Sequence, residues 1–445
     1  MSTGSQADAT SNPPLPGQFH ADQHPDNRHP DNRHPDNRHP DNRPSGGRPS
    51  HDEVFDAAVS THTGAAIALR RDVHEHPELA HTEHRTTARV AKLLSDAGLA
   101  VRLLPGTGLV ADVGPSTGPR VALRADLDAL PVLETTGLPF ASRSPGIAHA
   151  CGHDMHTASV VGAGLVLADL HRAGALAHGV RLLFQPAEEV MPGGALDVIG
   201  SGALEGVATV YSLHCDPSLD AGTIGVKAGP ITSASDHVTV RLHGTGGHTS
   251  RPHLAGDLVF ALGQVVTQLP AVLTRRVDPR SGVNLTWGAV HAGDAANAVP
   301  AEGYAEGTLR CMETEAWQHA GELVEGVVHD LVRPYAVRAE VLLQRGVPPV
   351  DNEVRATAAL EAAARAHLPL GAVLPTRQSL GGEDFAWYLH HVPGAMVRLG
   401  TRTPGGTSYD LHRGDYAPDE AALPVGIRVL AATAASVPAL LHPGE

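Results

Sequence analysis

From Asp52 onward, short apolar runs of strand character alternate with helical stretches, and this alternation restricts the fold more than any other feature of the chain. A strand followed by a helix and then by a parallel strand needs cover on both faces. Repetition of the unit therefore implies a mostly parallel sheet between helical layers. The pattern predicts helices over 65–71 and 86–97, the second stopped by Gly98, and strands over 108–113 and 120–124. A helix beginning near His156 runs through an apolar VVGAGLVLADL stretch, and buried strands follow at 180–184 and 208–213.

Between Ser233 and Arg345 the order changes to strand (237–242), helix (257–269), strand (283–290), strand (306–310), helix (315–332), strand (338–343). This reads as an α+β unit inserted into the first sheet. Alternation then resumes with helices at 353–366 and from Glu383, a strand at 395–399 and a last helix from Asp419. The expected organisation is a catalytic α/β domain in two parts, 51–232 and 346–445, with an inserted lid or dimerisation domain at 233–345. Three independent domains fit less well, because the chemistry below draws on both outer blocks.

Residues 1–50 stand apart. Four copies of HPDNR run from His24 to Arg43 among Pro-, Gly- and Ser-rich sequence, which has nothing to bury and is expected to be disordered. The repeat histidines could hold a transition metal weakly. Lys+Arg 33 against Asp+Glu 48 leaves a formal charge of −15, which argues against a nucleic-acid partner, since a polyanion needs a basic face. No unbroken apolar run approaches the roughly 20 residues of a membrane span, and the amino terminus lacks a secretory pattern. Three cysteines make no disulfide framework, so a cytoplasmic protein is expected.

The densest chemistry is His149-Ala-Cys151-Gly-His153-Asp154-Met-His156. At two-residue spacing in an extended segment, Cys151 and His153 point the same way and can reach one metal centre; thiolate plus imidazole suits a borderline-soft divalent ion such as zinc. Glu188 and Glu189 follow a predicted strand, where adjacent carboxylates are costly unless a cation or proton holds them. One could bind metal while its neighbour serves as general base, although an exposed acidic loop is the plainer alternative. His214 also ends a strand, where open α/β sheets place their sites. Asp126 and Asp128, after another strand, could orient ligand histidines or cap a turn. His412 lies in a Gly/Pro-rich loop, and Glu383 and Asp384 have the character of a helix cap.

The ordered series HEHPEL (74–79), LRADLDALP (123–131), HACGHDMH (149–156), FQPAEE (184–189), SLHCDP (212–217), GGHTSRPH (246–253), ANAVP (296–300), GGEDFAWY (381–388) and LH (411–412) resembles a known family. It is similar to the amidohydrolase branch of the aminoacylase/carboxypeptidase-type dinuclear metallopeptidases, which includes hippurate hydrolases, N-acyl-amino-acid amidohydrolases and indole-acetyl-amino-acid hydrolases. The resemblance covers roughly residues 65–440. It implies two divalent metal ions per chain held by Cys151, His153, Glu189, His214 and His412, with Cys151 as the bridge. Zinc is the first choice, with manganese, cobalt and nickel compatible. It also implies that Glu188 is the general base and that His248 steadies the oxyanion, sometimes across a dimer interface. Asn297 would sit near the same oxygen, and Arg310 would hold a substrate carboxylate. The implied partner is a small N-acyl amino acid, with a homodimer or larger homo-oligomer and no membrane. Cys215, the Arg-Gly-Asp-Tyr run at 413–416 and Thr-Ser-Arg at 249–251 depart from the usual pattern and leave the acyl preference open. A dipeptidase or carboxypeptidase on the same scaffold is the alternative enzyme. A metal-buffering protein, suggested by 29 histidines, is the alternative outside catalysis.

Overall fold

The structure is a computed structural model that describes residues 51–436; the HPDNR repeats lie outside the described residues. An 8-stranded sheet dominates it. Its order is Ala100–Leu103, Leu109–Val113, Gly179–Gln185, Arg120–Asp126, Val207–Asp220, Gly394–Arg402, Ile224–Val226 and Val373–Pro375. The four central strands run parallel. The edge pair Ala100–Leu103 and Leu109–Val113 is antiparallel.

Side-chain alternation explains why this sheet must be covered twice. Val121, Leu123 and Ala125 join one apolar core with Val180, Leu182, Phe184, Tyr211, Leu213, Ala395 and Val397. The residues between them (Ala122, Leu183, Val210 and Met396) join a second core on the opposite face. Helices His51–Glu75, His153–Arg172, Val354–His367 and Ala422–Ser436 supply the first layer, and the short helices Ala195–Gly200 and Ala386–Leu389 contribute to the second. Helix His153–Arg172 is buried on nearly every side. A Cβ at its Gly162 would lie 2.5 Å from the Ile427 side chain, and one at Gly164 would lie 2.4 Å from Leu182, so these two glycines set how closely the helix packs.

The stretch between Ala234 and Val347 builds a second, antiparallel sheet ordered Asn284–Ala292, Glu302–Cys311, Ala234–His243, Arg338–Val347. Helices Leu258–Arg276 and Thr314–Val332 pack on it around a separate core that includes Val240, Leu262, Leu309 and Val328. The molecule is thus a mixed α/β fold carrying an inserted α+β lid. Helix Leu258–Arg276 corrects one expectation: by length and composition it is apolar enough to cross a membrane. Gln264, Thr267 and Gln268 break its apolar run, yet no charge intervenes before Arg275. Its stripe Leu258, Ala261, Leu262, Val265, Leu269 and Leu273 is buried on the lid. A second correction concerns the helix expected from Glu383, which is a single turn at Ala386–Leu389.

Helix His51–Glu75 is fastened to the helix carrying the metal-site motif by buried charges. Arg70 Nε donates to Asp154 Oδ2 at 2.7 Å, and His74 Nδ1 meets the same oxygen at 2.9 Å while its Nε2 meets Glu134 Oε1 at 3.2 Å. Burial pushes His74 down, but the charge and hydrogen bond of Asp154 and the bond to Glu134 outweigh it, and the imidazole titrates at about 9. A folded-state value above the unfolded one of about 6.5 means that the stabilisation is complete below that pH and is lost as pH rises through about 9. Its size is on the order of 3 kcal/mol. Melting midpoints of the wild type should therefore fall from about pH 7 to about pH 9.5 more steeply than those of His74→Gln; parallel curves would refute this assignment.

Candidate metal centre

The chain leaves the carboxyl ends of the adjacent strands Arg120–Asp126 and Val207–Asp220 toward opposite sides: Arg120–Asp126 leads to Gly179–Gln185 on one flank, and Val207–Asp220 lies on the other. This is the switch point at which open α/β sheets form a crevice. Asp126 and Asp128 follow the first strand, Glu188 and Glu189 follow Gly179–Gln185, and His214 lies within the second strand. Cys151 and His153 arrive from the start of the buried helix. Between them Gly152 has φ +87°, and a Cβ there would lie 2.8 Å from Cys215 Sγ, so the turn admits only glycine without displacement. Two non-glycine residues with left-handed backbone also sit here, Ala187 (φ 57°) just before the carboxylate pair and His412 itself (φ 62°). Such strain is held where the surroundings over-determine it, and it often marks function.

All five expected metal donors come together. The donor atoms of Cys151, His153 and His214 lie within 4.8 Å of one another, and so do those of Cys151, Glu189 and His412. Cys151 belongs to both groups. Its Sγ is 3.6 Å from His214 Nε2; His412 Nε2 is 3.4 Å and His153 Nε2 3.8 Å from Glu189 Oε1. Two ligands at about 2.0–2.3 Å from one tetrahedral ion stand roughly 3.3–3.8 Å apart, which is the separation seen. His153 Nε2 and Glu189 Oε1 are buried without any hydrogen-bond partner. Buried polar atoms left so are rare, and a shared cation satisfies both, so the residues fit the metal pair that the motif series implies.

The surrounding groups hold these donors in place. His153 Nδ1 donates to the Asp128 carbonyl at 2.9 Å, which leaves Nε2 facing the cluster. The Asp128 carboxylate accepts the backbone N–H groups of Glu188 and Glu189 at 3.0 and 2.9 Å. Asp126 binds His156 Nδ1 at 2.7 Å, and His156 Nε2 accepts Cys215 N–H at 2.9 Å, so both nitrogens of His156 are engaged. Burial and the Glu189 carboxylate push the Cys151 thiol well up; metal binding there has to release that proton. Burial, then the Glu383, Glu189 and Asp384 carboxylates, push Glu188 well above the usual range. Burial also lowers His214, aided by His156 and Arg398, and keeps it the neutral imidazole a metal needs.

A cleft of about 730 Å³ opens over the cluster, and Cys151, Glu188, Glu189, His214, His412 and Arg310 all reach it. Two lid residues do not. His248 and Asn297 are exposed and sit side by side, where Thr249 N–H donates to the Asn297 carbonyl at 3.3 Å, but neither lines the cleft. The structure also reveals residues that motif reading passed over. Wholly buried Arg124 donates to Asp126 Oδ2 and Asp384 Oδ1, each at 2.6 Å, and to Gln185 at 2.9 Å. Asp384 is therefore the partner of buried Arg124, and its Oδ2 accepts the N–H of Ala195 at the start of another helix, Ala195–Gly200, at 3.0 Å. The signal was a charged residue inside an otherwise apolar strand, Val121-Ala-Leu-Arg124-Ala. Arg377 and Arg398 also line the cleft.

Comparison with known proteins agrees with this geometry. Residues 122–436 match the profile described as peptidase family M20/M25/M40. A Rhodococcus jostii (strain RHA1) protein bearing the provisional name glutamate–cysteine ligase 2-3 is 52% identical over 367 residues, 82% of this chain. The matched part is only 46% of that protein, so the chain spans less than half of its length. The N-acetyl-L-cysteine deacetylase of Bacillus subtilis (strain 168) is 37% identical over 367 residues, 82% of this chain and 86% of the deacetylase. Among solved structures, a dinuclear metal binding peptidase of the M20 family from Bacillus subtilis superposes with a TM-score of 0.75 at 34% identity, covering 84% of this chain and 98% of that one. With its profile match and relatives of this similarity over most of its length, the chain belongs to peptidase family M20/M25/M40.

Proposed function

We propose that the protein is a dinuclear metal-dependent amidohydrolase that hydrolyses the amide bond of N-acyl amino acids. The observation that carries this reading is the pair of donor groups sharing Cys151, with the Glu188 carboxylate beside them outside both groups. Cys151, His153, Glu189, His214 and His412 would hold the two metals, Cys151 belonging to both donor groups. Zinc suits the mixed sulfur, nitrogen and oxygen donors, and manganese, cobalt and nickel are compatible. Two divalent ions there supply the positive charge that lowers the pKa of a water and polarises the amide carbonyl. Glu188, its proton affinity raised by burial and neighbouring carboxylates, takes a proton from the attacking water and returns it to the leaving amine nitrogen. Arg310, whose Nη1 donates to the Leu380 carbonyl at 2.5 Å, presents its remaining donors to the substrate carboxylate. Asp126 and Asp128 position the ligands from behind.

His248 and Asn297 stand off the cleft, so they serve the oxyanion after the 233–345 lid closes, or from the lid of a second copy. A homodimer supplies the second route. The N-acetyl-L-cysteine deacetylase supports an N-acyl substrate, and the Bacillus peptidase supports a second reading, a dipeptidase or carboxypeptidase on the same scaffold.

The test is release of free amine from N-acetyl, N-benzoyl and longer N-acyl amino acids, after chelation and after return of individual divalent metals. Hydrolysis should vanish with chelation and reappear with metal. Faster cleavage of unacylated dipeptides than of every N-acyl amino acid would replace this reading with the dipeptidase one.

A further inference from the structure

Three arginines are buried among the described residues: Arg70, Arg124 and Arg398. The first two each grip carboxylates within 3 Å, Asp154 for Arg70 and Asp126 and Asp384 for Arg124. Arg398 does not. It is 6% exposed, yet no carboxylate comes within 4.0 Å of it among the described residues. Only its Nη2 is engaged, donating to Ser379 Oγ at 3.0 Å and to the Ile231 carbonyl at 3.4 Å, both neutral acceptors. Nε and Nη1 make no hydrogen bond among the described residues, and the side chain lines the cleft. Asp216, Glu383 and Cys151 act on it only through space, and burial holds its pKa below the usual arginine value.

Three of its five N–H groups are thus turned to the cleft without a protein acceptor, although in a chain of net charge −15 an internal partner would be easy to supply. Position explains the omission. Arg398 lies on strand Gly394–Arg402 directly opposite His214 in the parallel register, so it stands beside a metal donor on the same side of the sheet. Arg310 and Arg377 line the same cleft, also without a carboxylate within 4.0 Å. Arg310 suffices for one substrate carboxylate, which leaves the free Nη1 and Nε of Arg398 for another anion.

We propose that Arg398, steadied by Ser379, is the receptor for a second carboxylate on the substrate, in addition to the α-carboxylate, carried by the acyl group or by the amino-acid side chain. The inference rests on the amidohydrolase reading and deepens it: the preferred substrates are dicarboxylic N-acyl amino acids. A guanidinium whose Nη1 and Nε are free answers a carboxylate with charge as well as hydrogen bonds, whereas a neutral amide of the same shape brings no charge.

The test uses isosteric pairs with the metal-loaded enzyme: N-acetylglutamate against N-acetylglutamine, and N-succinylalanine against N-succinamoylalanine. The acid should lead its amide in kcat/KM in at least one pair, and Arg398→Met should collapse that ratio by roughly 10–100-fold, mainly through KM. Arg398→Lys, which keeps the charge and loses the guanidinium's reach past Ser379, should fall between. Equal rates within both pairs, or an Arg398→Met loss shared equally by acid and amide, would overturn the proposal and leave Arg398 as support for the metal ligands. Calorimetric binding of succinate to wild type and Arg398→Met is the readout independent of turnover. Weakening of succinate by 10-fold or more in the variant supports the anion site even if no N-acyl compound is hydrolysed, in which case only the amidohydrolase reading fails. Equal succinate affinity counts against Arg398 whatever the activity.

Discussion

Glu188→Gln is expected to lower kcat by about 10²–10⁴-fold while both metal ions remain bound. The separation follows from the geometry. Glu188 lies outside the two donor groups that share Cys151, but its carboxylate stands 3.8 Å from His153 Nε2, as far as that of Glu189, so retained metal in the variant is what distinguishes base from ligand. Its backbone is fixed by the N–H bond to Asp128, which the substitution leaves intact. Gln keeps the volume and cannot accept the proton, so the loss appears in turnover. Burial and three neighbouring carboxylates hold the Glu188 proton affinity well above the usual range, and bound cations pull it back toward neutrality. The acid limb of the wild-type kcat/KM profile should therefore shift when one metal is exchanged for another, and Glu188→Gln should lose that limb. Metal content measured beside turnover decides the matter: an inactive variant that has also shed its metal would make Glu188 a ligand, and a fully active one would remove it from the reaction.

The sheet and the closeness of Cys151 to His153 were legible in the sequence because both obey short-range rules. Short apolar runs between turn residues mark Arg120–Asp126, Gly179–Gln185 and Gly394–Arg402, which are buried on both faces, and the Cys-x-His spacing is equally local. Element ends were less legible. The first helix begins at His51, well before the predicted 65, and its early turns pack Phe55, Ala58 and Val59 into the core. The convergence of Glu189 with His412, more than 200 positions apart, came from the motif series and not from any local pattern. Arg398 and Arg124 stand out in the sequence only as charges inside apolar strands: what distinguishes them is the partner each has or lacks, and pairing is a property of the folded chain.

Arg124→Met should be the most damaging single change in stability, costing about 3–5 kcal/mol and lowering the melting midpoint by roughly 5–15 °C. Arg124 donates to Asp126, Asp384 and Gln185 and lies 3.2 Å from Glu383, all beneath the floor of the metal centre. Methionine fills much of the volume and removes the only guanidinium in contact with three buried carboxylates. Burial, with Glu383 as the neighbour, already lifts Asp384 to about 8 against the pull of Arg124. Without that pull at least one more carboxylate must take up a proton on folding. A carboxyl group whose folded-state pKa is raised opposes folding above its unfolded value of about 4, and the penalty grows as pH climbs toward the folded value. The gap between wild type and Arg124→Met should accordingly be wide at about pH 8 and narrow toward about pH 4.5. Arg124→Lys should lie nearer the Met variant than the wild type, since one ammonium cannot reach carboxylates on both sides of the fork. The position of these partners shows what the residue does for the fold: Asp126 precedes the inserted lid in the chain, and Glu383 and Asp384 follow it, so Arg124 ties together the two segments that the insertion separates. A melting midpoint within about 2 °C of wild type at pH 8 would mean that these carboxylates find other partners and that the tie is made elsewhere.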